Sequence, residues 1–162
     1  MFQQARDLRT SRDFARMRRA IVAFAPNDAV FRARFRVAKV TKSSAAKYVL
    51  RKIEEHERGP ATGETAVVSR VNLEHIFPEN PRGTRLPHHD DMVDRLGNLT
   101  LLHRRINTAL RNAPFREKRA TYRASAFHIT SALARNTGWN ENSILRRQRR
   151  FAQAAARIWA FE

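Results

Sequence analysis

Leu73-Glu74-His75-Ile76-Phe77-Pro78, Leu96-Gly97-Asn98-Leu99-Thr100-Leu101-Leu102 and, five residues on, Asn107 decide how this chain of 162 residues reads. Val67 to Val71 and Leu73 to Phe77 are β-prone runs, and Leu99 to Leu102 is another, so the pattern predicts a β-hairpin with a long loop between Pro78 and Arg95. Loops of that length are usually functional or disordered. Neighbouring side chains on a strand point to opposite faces, so Glu74 and His75 can serve one site only where the strand bends or ends. Pro78 supplies that ending, because it cannot donate to the ladder.

Outward from the hairpin the chain reads as helix. Phe14, Met17, Ile21 and Phe24 recur at helical spacing behind Thr10 and Ser11, and Pro26 with Asn27 ends the run. Asn27 is the expected cap of a second helix with Phe31, Phe35 and Ala38 inward, and Ser43 or Ser44 of a third with Ala45, Val49 and Ile53 inward. Beyond Leu102 a short helix is expected over 104–110 and another over 114–126, with Asn112 before Ala113-Pro114 as its cap. A last helix spans about 140–160, with Ile144, Phe151, Ala155 and Ile158 as its apolar stripe. The polar stretch from Glu57 to Glu64, with Gly59, Pro60 and Gly63, is the best boundary. It divides an N-terminal helical segment, 1–58, from a functional domain over 59–162. The expected fold class is α+β and mostly α-helical, one compact unit with the hairpin and its following helix at the centre.

Charge points to a partner. Lys and Arg number 32 against 15 Asp and Glu, a formal net charge of +17, and only five of the 32 are Lys. Arginine forks onto phosphate better than lysine does, so the surplus implies a polyanion, with nucleic acid first. The distribution sharpens this: residues 1–66 carry 15 basic and 7 acidic side chains, 103–162 carry 13 and 3, but 67–102 carry 4 and 5. A locally acidic stretch between basic flanks suits a metal-dependent phosphodiesterase, whose Arg flanks hold the backbone while carboxylates hold a divalent cation. There is no cysteine, so disulfide scaffolds, thiol nucleophiles and Cys-ligated zinc are excluded. His88, His89, Asp90 and Asp91 form a tempting cluster. Adjacent residues rarely converge on one ion, so a solvated loop or substrate contact is the better reading.

Glu74-His75, Asn98 and Asn107, in strand, strand, helix order, resemble the HNH branch of the His-Me finger (ββα-metal) nucleases, with Asn in place of the last His. More narrowly, His75 to Pro78, Gly97-Asn98-Leu99, Asn107, Asn112-Ala113-Pro114-Phe115, Lys118-Arg119 and Ile158-Trp159 resemble the C-terminal nuclease domain of GmrSD-type restriction proteins, found also in phosphorothioate-dependent anti-phage nickases. The likeness is good over about 44–162 and weak before that. It implies a ββα-metal finger surrounded by a helical bundle, and a cytoplasmic bacterial endonuclease that nicks double-stranded DNA in restriction or anti-phage defence.

The resemblance also implies roles. His75 is the general base on the attacking water, work suited to imidazole, whose ordinary pKa lies near 6.5. Glu74 and Asn107 hold one Mg²⁺ or Mn²⁺ through oxygen, and Asn98 orients the histidine and braces the finger. Arg104, Arg105, Arg111, Arg116, Lys118 and Arg119 contact phosphates beside the finger's helix. No structural zinc is implied. Members of the family usually carry an N-terminal nucleotide-hydrolysing domain, so such a domain or a separate subunit is an expected partner; no membrane is. Two other readings fit the composition: a non-catalytic DNA-binding module, and an RNase or toxin-type nuclease.

Overall fold

The computed structural model describes residues 11–24, 26–59 and 71–160. The two β-prone runs pair. Strand β1 (Val71–His75) lies antiparallel to β2 (Leu99–His103), with Glu74 opposite Thr100 and His75 opposite Leu99. Most of the predicted run from Val67 lies outside the described residues; β1 begins at Val71. The helices are α1 (Ser11–Phe24), α2 (Asp28–Phe35), α3 (Ser43–Arg58), α4 (His89–Met92), α5 (Arg104–Leu110), α6 (Phe115–Arg123), α7 (His128–Ser131) and α8 (Glu141–Ile158). The fold is therefore mostly helical with one small antiparallel sheet, consistent with α+β. Among the described residues no helix is long and apolar enough to cross a membrane.

Opposed residues of an antiparallel pair share a face, so the sheet separates two apolar clusters. Val71, Leu73, Leu99 and Leu101 pack with Ala46, Leu50 and Ile53 of α3, Ile129 of α7 and Phe151 of α8. Leu102 and Ile76 pack with Phe115 and Tyr122 of α6, Trp139, and Ile144 of α8. Helix α8 thus belongs to both clusters and ties them together.

Several local expectations hold and others shift. The Asn27 side chain accepts from the Val30 amide and Asn140 from the Ser143 amide, capping α2 and α8 as their positions predicted. In the stripe expected to bury α1, Phe14 is 57% and Met17 44% exposed, while the side chains of Ile21 and Phe24 lie outside the described ones. Helical period specifies an apolar face without specifying a partner for it. In α3 the buried face is Ala46, Leu50, Ile53 and Glu54, one position round from the predicted Ala45 and Val49. Glu54 explains the rotation, since its carboxylate accepts from the His128 and Ile129 amides and caps α7 from inside the fold. Asn112 does not cap α6, whose N-cap is Pro114 without a side-chain hydrogen bond.

A tight turn at Leu96–Asn98 leads into β2 and sits hard against α8. Gln148 accepts from the Gly97 amide and donates to the Phe35 and Ala38 carbonyls, so one amide side chain joins that turn to the end of α2. A Cβ at Gly97 would overlap the Ile144 carbonyl oxygen. Gly97→Ala is therefore expected to cost about 3 kcal/mol, the upper range for overpacking, because the obstacle is backbone rather than a flexible side chain. Urea unfolding of the two proteins measures it; a loss below about 0.5 kcal/mol would show that α8 is not seated on this turn.

Candidate active-site cleft

Where β1 ends, a cleft of about 280 Å³ opens, lined by Leu73, Glu74, His75, Pro78, Glu79 and, across from them, Asn107, Thr108, Arg111 and Asn112. Glu74 and His75 are neighbours on a strand yet reach the same cleft, because His75 is the last strand residue and the chain turns away at Pro78. Asn107 lies on α5, which follows β2 directly. Its Nδ2 donates to the Leu73 carbonyl at 2.9 Å, so the side-chain nitrogen is pinned to β1 and the amide oxygen is the group left for a ligand.

Glu74 is 4% exposed and Lys118, on α6, 1%. The Lys118 ammonium lies 2.7 Å from Glu74 Oε1 and donates to the His75 carbonyl at 2.8 Å, while the Tyr122 hydroxyl donates to the same Oε1 at 2.9 Å. Burial pulls the Lys118 ammonium below the ordinary lysine range, and Glu74 opposes that shift. Burial, with the Glu74 charge added, pushes Tyr122 well above the ordinary tyrosine range, so its hydroxyl stays a donor. Lys118 is thus not on the surface with its arginine neighbours, where the sequence placed it; it is interior, holding the end of β1.

Asn98 is fully buried and does not line the cleft. Its Oδ1 accepts from the Phe77 amide at 2.9 Å and its Nδ2 donates to the Phe77 carbonyl at 3.0 Å, pairing with that peptide as a neighbouring strand would. It also donates to the Val93 carbonyl and accepts from Trp139 Nε1. Phe77 is two residues beyond His75, so Asn98 sets the course of the chain leaving the histidine.

The structure adds a residue that the sequence did not single out. Asp94 Oδ1 lies 3.5 Å from His75 Nε2, a loose contact. A carboxylate only accepts, so Nε2 is the donor in this contact, and in a neutral ring Nδ1 is then the nitrogen left with the lone pair. Asp94 sits in the long loop, and its carbonyl accepts from the Val40 amide.

Of the expected phosphate contacts, Arg104, Arg105, Arg111 and Arg116 are exposed, and Arg111 lines the cleft. Arg111 is held at φ 43°, a conformation that costs a non-glycine residue about 1–2 kcal/mol. Arg119 is half-buried, with Nε donating to the Ala134 carbonyl. The His88 to Asp91 cluster is structural stitching. His88 contacts Glu141, His89 is buried against the Glu79 carbonyl, and Asp91 pairs with Lys39. Among the described residues no three His, Cys, Asp or Glu side chains are grouped to hold a metal ion.

Lys118→Met removes the partner of a buried carboxylate and is expected to cost about 3–5 kcal/mol. Tyr122→Phe, which leaves the ion pair in place, should cost about 2 kcal/mol. Denaturant unfolding checks both; losses under about 0.5 kcal/mol would mean that α6 is not anchored through Glu74.

The model of the C-terminal domain of GmrSD restriction endonucleases matches residues 25–154. A search of the curated proteins found no match. The matched span takes in both strands and every residue lining the cleft, and the chain belongs to the GmrSD restriction endonuclease C-terminal domain family.

Proposed function

We propose that this chain is a divalent-metal-dependent DNA endonuclease of the HNH, ββα-metal type. It nicks one strand at a time in bacterial restriction or anti-phage defence. Membership of a restriction endonuclease family supports a nuclease role. The observation that carries the finer reading is the single cleft lined by Glu74, His75 and Asn107, with Asp94 behind the histidine ring.

His75, neutral, takes a proton from the water that attacks the phosphorus, using Nδ1 because Asp94 holds Nε2. The phosphorus–O3′ bond breaks, and the departing oxygen gains its proton from solvent. Asp94 and Asn98 are positioning residues: one fixes the tautomer, the other the course of the chain beyond His75. The donor set fits a hard cation, since a carboxylate and a side-chain amide oxygen line one cleft and soft ligands are absent. Glu74, with Oε1 taken by Lys118 and Tyr122, offers Oε2, and Asn107 offers Oδ1. A Mg²⁺ or Mn²⁺ ion held there would supply charge compensation for the phosphate. Arg104, Arg105, Arg111 and Arg116 hold the flanking backbone, giving affinity and salt dependence rather than sequence choice. Gating by an N-terminal nucleotide-hydrolysing domain or a separate subunit completes the proposal.

Supercoiled plasmid incubated with the protein should convert to open circles with Mg²⁺ or Mn²⁺ and stay intact with EDTA. His75→Ala and Asn107→Ala should each lower the rate by about a hundredfold or more, and Asp94→Asn by about tenfold, with DNA retention unchanged. Cleavage that persists in EDTA or in His75→Ala would contradict the mechanism. Plasmid merely retarded on the gel, in every metal and salt tried, would favour a DNA-binding module instead.

A further inference from the structure

On the face formed by α7, the turn at Ala132–Arg135 and the start of α8, two cavities adjoin. The smaller, about 210 Å³, is lined by Arg146, Arg147 and Arg150 together with Asn136, Ser143 and Trp139 among others. The larger, about 400 Å³, shares Asn136, Ser143 and Arg146 and adds Arg135. Among the described residues no carboxylate lines either cavity, and neither shares a lining residue with the candidate cleft.

The charge here is poorly neutralised. Arg150 pairs outward with Glu57 at 3.2 Å, but among the described residues Arg146 reaches only the Asn136 side-chain oxygen at 3.5 Å. Arg147 is buried. Its two terminal nitrogens donate to the Gly97, Leu99 and Ile129 carbonyls and to Thr100 Oγ1, and its guanidinium lies 4.4 Å from the centre of the Phe151 ring. None of these partners is an anion, and Nε meets no acceptor among the described residues. Burial, followed by repulsion from Arg150, pulls its pKa from the ordinary arginine range down to about 9, which leaves it charged at neutral pH.

We propose that these adjoining cavities form a second phosphate-binding groove that holds a nucleic-acid backbone away from the catalytic cleft. The exposed Arg135 and Arg146 guanidiniums, with the Asn136 amide hydrogen left over from its bond to the Leu133 carbonyl, are donors a phosphate takes, while the Ser143 hydroxyl is spent on Asn140 Oδ1; the positive charge, offset here only by Glu57 on Arg150, favours an anion over a cation. Continuity through three shared residues suits a chain of phosphates better than one small anion. The choice of DNA as the source of those phosphates rests on the nuclease reading above. Trp139, a wall of the smaller cavity, donates to Asn98, so an occupied groove abuts the brace behind the cleft.

Anisotropy of a labelled DNA duplex, read in EDTA so that nothing depends on cleavage, tests the groove even if the catalytic assignment fails. Arg135→Glu/Arg146→Glu reverses two exposed groove arginines. Arg149→Glu/Arg157→Glu reverses two exposed arginines of α8 outside the groove, as a charge-matched control. The groove pair should weaken binding at least about tenfold more than the control and lower the slope of log K on log salt by about two. Equal losses, or none in the groove pair, would overturn the groove as a nucleic-acid site. Calorimetry with inorganic phosphate separates the sources: phosphate heat that the groove pair abolishes, beside unchanged duplex affinity, would replace DNA with a free phosphate ligand.

Discussion

One buried ammonium holds the candidate site together. Lys118 reaches from α6 to Glu74 Oε1 and the His75 carbonyl, so a single side chain fixes two consecutive residues at the end of β1. In an interior of low dielectric such a pair is costly to form and costlier to break, because either partner left alone is an uncompensated buried charge. The arrangement therefore leaves the strand end one position to occupy. Tyr122, one turn further along α6, adds a second donor to the same carboxylate oxygen.

Around that anchor the other braces act on backbone rather than on the chemistry. Asn98 pairs with both peptide groups of Phe77, and Asn107 grips the Leu73 carbonyl, so the peptides on either side of the Glu74–His75 pair are held by side-chain amides. Both amides come from the chain that follows: Asn98 just before β2, and Asn107 from the helix just after it. The cleft is thus the seam between the end of β1 and α5, with the approach to β2 behind it, and α8 backs that approach through Arg147 and Gln148.

Much of this was legible in the sequence. The hairpin and the helix after it follow from alternation, a proline stop and spacing, whereas the grouping of Asn107 with Glu74 and His75 was implied only by the family resemblance. Lys118 is interior rather than a phosphate contact, and its spacing shows why: Phe115, Lys118 and Tyr122 are three and four apart and so share the buried face of α6. Arg147 lies on the buried face of α8 between Ile144 and Phe151 in the same way. A charged residue on an apolar stripe is a signal of its own, and Glu54 in α3 repeats it. Asp94 carried no such mark. It lies 19 residues from His75 within a polar loop, and only the folding of that loop brings the two together.

In the proposed mechanism Glu74 and Asn107 present oxygen to one cation beside His75. Crystals grown with a non-hydrolysable DNA duplex and Mn²⁺, measured for anomalous scattering, locate that ion directly. One peak is expected in the cleft, against the Glu74 carboxylate and the Asn107 amide oxygen, and it should disappear in Asn107→Ala. A peak seated elsewhere, or none in a protein that cleaves DNA with Mn²⁺, would contradict it.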